Sequence, residues 1–108
     1  MKEKAGYVYI LTNKSHSVFY TGVTSNLEKR MYEHSMELVD GFTKRYHIHE
    51  LMYYEVYESI ETAINREKKI KKWKRDWKWN IIDKLNPDRK NLYCSGLILP
   101  INMELITW

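Results

Sequence analysis

The chain has 108 residues, the size of a single domain with a single core. Hydrophobic residues make up 44% and charged residues 30%, with only 4 Gly and 2 Pro, which excludes a collagenous or mostly disordered polypeptide. The formal net charge is +4, and one cysteine, Cys94, can neither close an internal disulfide nor build a thiolate metal cage.

Gly6 to Asn13 is rich in β-branched and aromatic residues and ends on turn formers, so it reads as a strand. Val18 to Val23 reads as a second strand, and the short polar link favours an antiparallel hairpin. On alternation, Tyr7, Tyr9 and Leu11 share one face and Val8 and Ile10 the other, so both faces call for cover. Ser25 with Glu28 has the spacing of a capping box at a helix start. In that helix Leu27 and Met31 face the core, while Arg30 and His34 form a second i, i+4 pair on an adjacent face.

Residues 35–49 read as a long loop of mixed charge, a kind of segment that often carries function. Glu50 to Tyr57 resumes strand character. A helix is expected from about Ile60 to Lys74 with Ser59 as N-cap. A shorter one is expected from Trp77 to Leu85 after Asp76 at the cap position, stopped by Asn86-Pro87. The order β-β-α-β-α-α predicts an α/β (α+β type) fold, a small antiparallel sheet flanked by helices, over residues 1–93. Residues 94–108 form an apolar tail suited to adding a strand, covering a sheet edge or mediating self-association. No apolar run approaches the ~20 residues that span a bilayer, and MKEKAGY leads into no apolar signal core. A cytoplasmic location with no membrane partner is expected.

The positive charge is concentrated. From Arg66 to Lys90 there are eleven basic and four acidic residues, a net +7, so the rest of the chain carries −3. Trp73, Trp77 and Trp79 are interleaved with these cations. Such a stretch is suited to neutralising phosphates and covering nucleic acid, and equally to forming a solvated helix face with its indoles in the core. Arg66, Lys68, Lys69, Lys71, Lys72, Lys74, Arg75 and Lys78 are the candidate phosphate contacts.

One residue breaks its own helix pattern. Ile60, Ala63, Ile64, Ile70 and Trp73 mark an apolar stripe of helical period, and Glu67 falls inside it. A carboxylate turned toward a core must be paired or must bind a cation. Two readings are open: a salt bridge to Arg30 or to a lysine, or a single carboxylate ligand for a hard divalent ion. Arg30 with His34 is suited to clamping a phosphate and assisting proton transfer. Tyr9 and Tyr20 carry hydroxyls able to orient a water, provided cations lower their pKa from ~10.

Taken together, Tyr7-Val-Tyr-Ile10, Tyr20-Thr-Gly22, Arg30, Glu67 and Asn86 resemble the GIY-YIG nuclease superfamily in its small stand-alone prokaryotic form. The likeness covers roughly residues 6–93. Tyr7 stands where the first motif has glycine, Thr21 where the second has isoleucine, and Val23 where some members carry a lysine. The resemblance implies a three-stranded antiparallel sheet flanked by helices. It also implies hydrolysis of DNA phosphodiesters with one Mg²⁺ or Mn²⁺, on double-stranded, branched or nicked DNA in repair or recombination. Tyr9 and Tyr20 fall on the tyrosines of the two motifs, Arg30 on the helix arginine and Glu67 on the metal-binding glutamate. Asn86 falls on a late supporting asparagine, and His34 on a histidine found in some members. The competing expectation is a nucleic-acid-binding module of the same fold with negligible turnover.

Overall fold

In the computed structural model, which describes residues 5–101, strand β1 (Gly6–Thr12) occupies the centre of the sheet. Strands β2 (Phe19–Thr24) and β3 (Glu50–Tyr57) flank it in the order β2-β1-β3, both antiparallel to it. Helix α1 (Leu27–Ser35) and the short α2 (Phe42–Arg45) follow β2, and α3 (Ile60–Lys71) and α4 (Arg75–Leu85) follow β3. The chain then makes a small hairpin, β4 (Tyr93–Cys94) and β5 (Leu97–Ile98). The expected three-stranded antiparallel sheet with flanking helices is therefore the fold. None of the described helices is long and apolar enough to cross a membrane.

Alternation along β1 divides the interior in two. Val8 and Ile10 pack with Ala63, Ile70, Ile81 and Ile82 of α3 and α4. Tyr9 and Leu11 pack on the opposite face with Leu27 and Met31 of α1. Both faces of the central strand are thus buried, as its unbroken run of apolar and aromatic residues requires.

The β1–β3 register slips between Ile10 and Leu11, which pair with Tyr53 and Leu51, so Met52 is the extra residue of a β-bulge. Asn86 donates through Nδ2 to the Met52 carbonyl at 3.0 Å, and Asn91 Oδ1 accepts the Leu51 N–H at 2.9 Å. Two asparagines after α4 thereby satisfy backbone groups that the slipped ladder frees. Leu92 N–H donates to the Leu51 carbonyl (2.8 Å), and Leu99 and Ile101 pack against the Tyr9 cluster. The first part of the apolar tail thus lies against β3. The remainder, from residue 102, lies outside the described residues.

Four local expectations need correction. The α1 N-cap is Asn26, whose side chain accepts from Lys29 N–H at 3.1 Å; no Ser25–Glu28 box forms. Thr24 Oγ1 takes the Asn26 N–H at 3.1 Å, which moves the helix start one residue along and buries Leu27 in the first turn. Helix α3 ends at Lys71 rather than Lys74, closed by i→i−3 bonds from Lys72 and Trp73 N–H. Helix α4 therefore begins earlier, at Arg75. Asp76 sits in its first turn, where its charge faces the helix dipole, and not at the cap. The reading of residues 35–49 as loop omitted α2.

Candidate active site

Strand β1 sends the Tyr9 side chain to the α1 face, directly opposite Gly22 of β2. A Cβ at position 22 would overlap the Tyr9 phenol carbon and oxygen. The glycine closing the second motif is therefore the space into which the tyrosine of the first motif leans. Around that ring stand Tyr20, with ring centres 6.2 Å apart, and His34, at 5.7 Å. Tyr20 and His34 are themselves 5.8 Å apart, so the three rings form a closed triangle.

Two side chains of α1 meet the Tyr9 hydroxyl. His34 Nε2 lies 3.1 Å from Oη, and Arg30 donates to the same oxygen through Nε–H at 3.4 Å. The i, i+4 spacing read from the sequence puts both on one side of the helix, one turn apart. Glu33 steadies the guanidinium, with Oε1 3.4 Å from Arg30 Nη1. The Tyr20 hydroxyl bonds to none of the described residues.

The electrostatics assign the protons. Burial, followed in smaller measure by the charges of Tyr20 and Glu67, pushes the Tyr9 pKa up to about 12 although the Arg30 bond opposes the shift. Burial, then the charge of Arg30, lowers His34 to about 4. At neutral pH the pair is a phenol and an uncharged imidazole. Because Arg30 donates to the phenol oxygen, the phenol proton is directed to His34 Nε2.

His34 also makes folding pH-dependent. It is only 2% exposed, and it binds its proton less readily folded (about 4) than in an unfolded chain (6.5). Between those values the unfolded state holds more protons, so stability is complete above about pH 6.5 and declines as pH falls toward 4. The full loss is roughly 1–3 kcal/mol. Denaturant unfolding between pH 7.5 and 4.5 checks this, and His34→Gln is expected to flatten the slope by that amount.

Glu67 is 7% exposed, packed between Ala63 and Ile70 on the buried side of α3. Lys71, one turn on, brings Nζ to 3.0 Å from Oε1, but this oxygen is buried and accepts no aligned hydrogen bond among the described residues. Of the partners that the sequence left open, the lysine and not Arg30 is beside it. Lys71 is itself 54% exposed, so the pairing is held by a side chain free to swing into solvent. A buried carboxylate oxygen with no aligned donor is a hard-oxygen donor that suits a divalent cation. Among the described residues no three His, Cys, Asp or Glu cluster to form a protein cage, so such an ion would be held by Glu67 and otherwise by waters and phosphate oxygens.

Asn86 is not among these groups. Its hydrogen bonds run to the Met52 carbonyl and to the backbone of Lys90 (2.9 and 3.2 Å). These bonds pin the bulge. Arg66 is corrected as a phosphate contact. It is ion-paired through Nε (3.1 Å) to Glu55, a carboxylate with no exposed surface that also accepts from Tyr53 and Tyr57, each at 2.7 Å. Arg75 donates to the carbonyls of His16 and Ser17, and Lys78 lies partly desolvated near the Phe19 ring, 5.8 Å from its centre. Lys68, Lys69, Lys72 and Lys74 are exposed.

A groove of about 540 Å³ beside Arg30 is lined in part by Val23, Asn26, Lys29 and Glu33. Lys29 was missed in the sequence because a lysine on a short helix carries no signal of its own. Here it places a cation in the groove whose wall at position 23 is valine.

Residues 5–80 match the family model described as the GIY-YIG catalytic domain. The chain is 39% identical over 84 residues to a UPF0213 protein of Syntrophus aciditrophicus, covering 77% of this chain and 94% of that protein. It is 38% identical over 85 residues to a UPF0213 protein of Clostridium perfringens, covering 79% and 90%. The solution NMR structure of a UPF0213 protein from Bacillus halodurans aligns with a TM-score of 0.50 at 26% identity, over 84% of this chain and 97% of that one. With Tyr9 seated over Gly22, Tyr20 beside it and this run of matching residues, the chain belongs to the GIY-YIG family of nuclease catalytic domains.

Proposed function

We propose that this chain is a divalent-metal-dependent endonuclease that hydrolyses DNA phosphodiester bonds, directed by DNA structure and not by sequence, in repair or recombination. The observation that carries the proposal is the shared Tyr9 oxygen. One hydroxyl is gripped by Arg30 and His34, stacked near Tyr20, and reached by the charge of a buried, incompletely bonded Glu67.

In this reading Tyr9 acts as a relay. With its pKa near 12 it does not work as a phenolate at neutral pH. Its oxygen accepts a proton from the attacking water while its own proton passes to His34 Nε2, 3.1 Å away. His34 is uncharged and ready to accept it. A phosphate drawn to Arg30 offsets the cationic charge that helps hold the His34 pKa down, so substrate binding strengthens the base when it is needed. Arg30 also neutralises charge building on the phosphoryl oxygens. Tyr20 closes the pocket on the other side of the ring. Glu67 would hold one Mg²⁺ or Mn²⁺, whose Lewis acidity would then be available to the phosphate. Lys68, Lys69, Lys72 and Lys74 contact the flanking backbone without reading bases.

The test is cleavage of nicked, branched and intact duplex DNA by purified protein. Cleavage is expected with Mg²⁺ or Mn²⁺, is abolished by a chelator and returns on adding metal back. Binding with no cleavage under any of these conditions would favour a binding module of the same fold.

A further inference from the structure

Trp77 is 58% exposed, uncommon for so large an aromatic side chain, and sits in the first turn of α4 at the junction with α3. It is held from behind by other residues. Its ring meets Trp73 edge-on, with centres 6.1 Å apart and planes at 70°. Trp73 lies under the Arg66 guanidinium (4.9 Å), and Arg66 is fixed by the fully buried Glu55. Among the described residues Trp73 is the one aromatic ring beside it, and more than half of the side chain is open to solvent on this braced support. Along the chain, Lys72, Lys74, Arg75 and Lys78 outnumber the single acid Asp76 in the seven residues 72–78, and Lys72 and Lys74 are exposed.

We infer that Trp77 stacks on an unpaired or end-exposed base of a DNA substrate whose phosphates are held by the neighbouring lysines. This rests on the nuclease reading above and deepens it, because it names the feature by which the protein distinguishes nicked or branched DNA from continuous duplex. In intact duplex both faces of every internal base are already stacked, and an indole gains nothing there. At a gap, branch or end a base face is free, and base–aromatic stacking is indifferent to sequence. The local excess of positive charge opposes self-association through this patch by like-charge repulsion and complements a polyanion.

The experiment measures binding by fluorescence anisotropy, in chelator to prevent cleavage, for wild-type protein, Trp77→Ala and Trp77→Phe. The DNAs are a covalently closed circular duplex, which has no ends, and the same circle with a short single-stranded gap that carries 2-aminopurine. Trp77→Ala is expected to weaken gapped-DNA binding by about tenfold and duplex binding by less than about twofold, while Trp77→Phe retains most of the preference. The 2-aminopurine fluorescence is expected to be quenched by wild type and not by the alanine variant. Equal affinities of wild type and Trp77→Ala for both DNAs, or equal losses on both, overturn this inference alone. Wild-type dimerisation in sedimentation that is abolished by Trp77→Ala overturns it in favour of a protein interface. If wild-type protein binds neither DNA, the nuclease reading falls and this inference falls with it.

Discussion

Glu67→Gln is expected to lower metal-dependent cleavage by at least about 10³-fold, more than loss of a single charge-stabilising donor, while DNA affinity stays within a few-fold of wild type. The substitution keeps the shape of a side chain wedged between Ala63 and Ile70 and removes only the charge. Apart from the exposed Lys71 ammonium, no donor among the described residues is aligned on Oε1. Lys71→Met separates the two explanations for a buried acid. If the 3.0 Å contact were the purpose of Glu67, removing either partner would have the same effect. On the metal reading, Lys71→Met retains cleavage and binds Mn²⁺ at least as tightly, because the competing ammonium is gone. Single-turnover cleavage together with Mn²⁺ titration monitored by electron paramagnetic resonance reads both. Full activity of Glu67→Gln would sink the metal assignment.

Glu55→Ala is expected to cost about 3–5 kcal/mol of folding stability, which is a large share of the ~5–15 kcal/mol typical of such a domain. The carboxylate has no exposed surface, and it accepts from Tyr53, Tyr57 and Arg66 at once. Its charge and burial raise the pKa of both phenols, which stay protonated as donors. Truncation would leave two hydroxyls and a guanidinium without their acceptor beneath α3. Adding Arg66→Met should recover part of the loss, since it removes the cation that the buried carboxylate had offset. Urea unfolding of the single and double variants measures this. A loss below ~1 kcal/mol for Glu55→Ala would show that water reaches the cluster.

The two carboxylates also show what the sequence made legible and what it hid. Glu67 stood out because a 3.6-residue period leaves one face unmistakable, and an acid on that face is an anomaly. Glu55 is more deeply buried but drew no notice. In Tyr53-Tyr-Glu-Val-Tyr57 aromatic residues occupy both faces of the strand, so alternation assigns neither to the interior. Its face depends on the one-residue slip at Met52, a tertiary event without a local signature. The chain order β-β-α-β-α-α, the helices α1, α3 and α4 and the Arg30–His34 pairing followed from period and spacing, whereas the three-stranded sheet was implied by the family resemblance. Helix ends did not: Asn26 outcompeted Ser25 as cap through a bond to Thr24, and α3 was closed early by its own tightened last turn. Arg66 was misread for a related reason. Charge density identifies a basic segment, whereas which of its members turns inward depends on an acid eleven residues earlier.

The contact between Gly22 and the Tyr9 ring makes two motifs, set a dozen residues apart along the chain, into one steric unit. Their substitution histories are therefore coupled. A side chain at position 22 is tolerable only in a descendant that has already surrendered the phenol at position 9, and restoring the phenol requires the glycine first. A lineage that loses the glycine thereby loses the seat of the phenol, and regains it only by reversing the two changes in order.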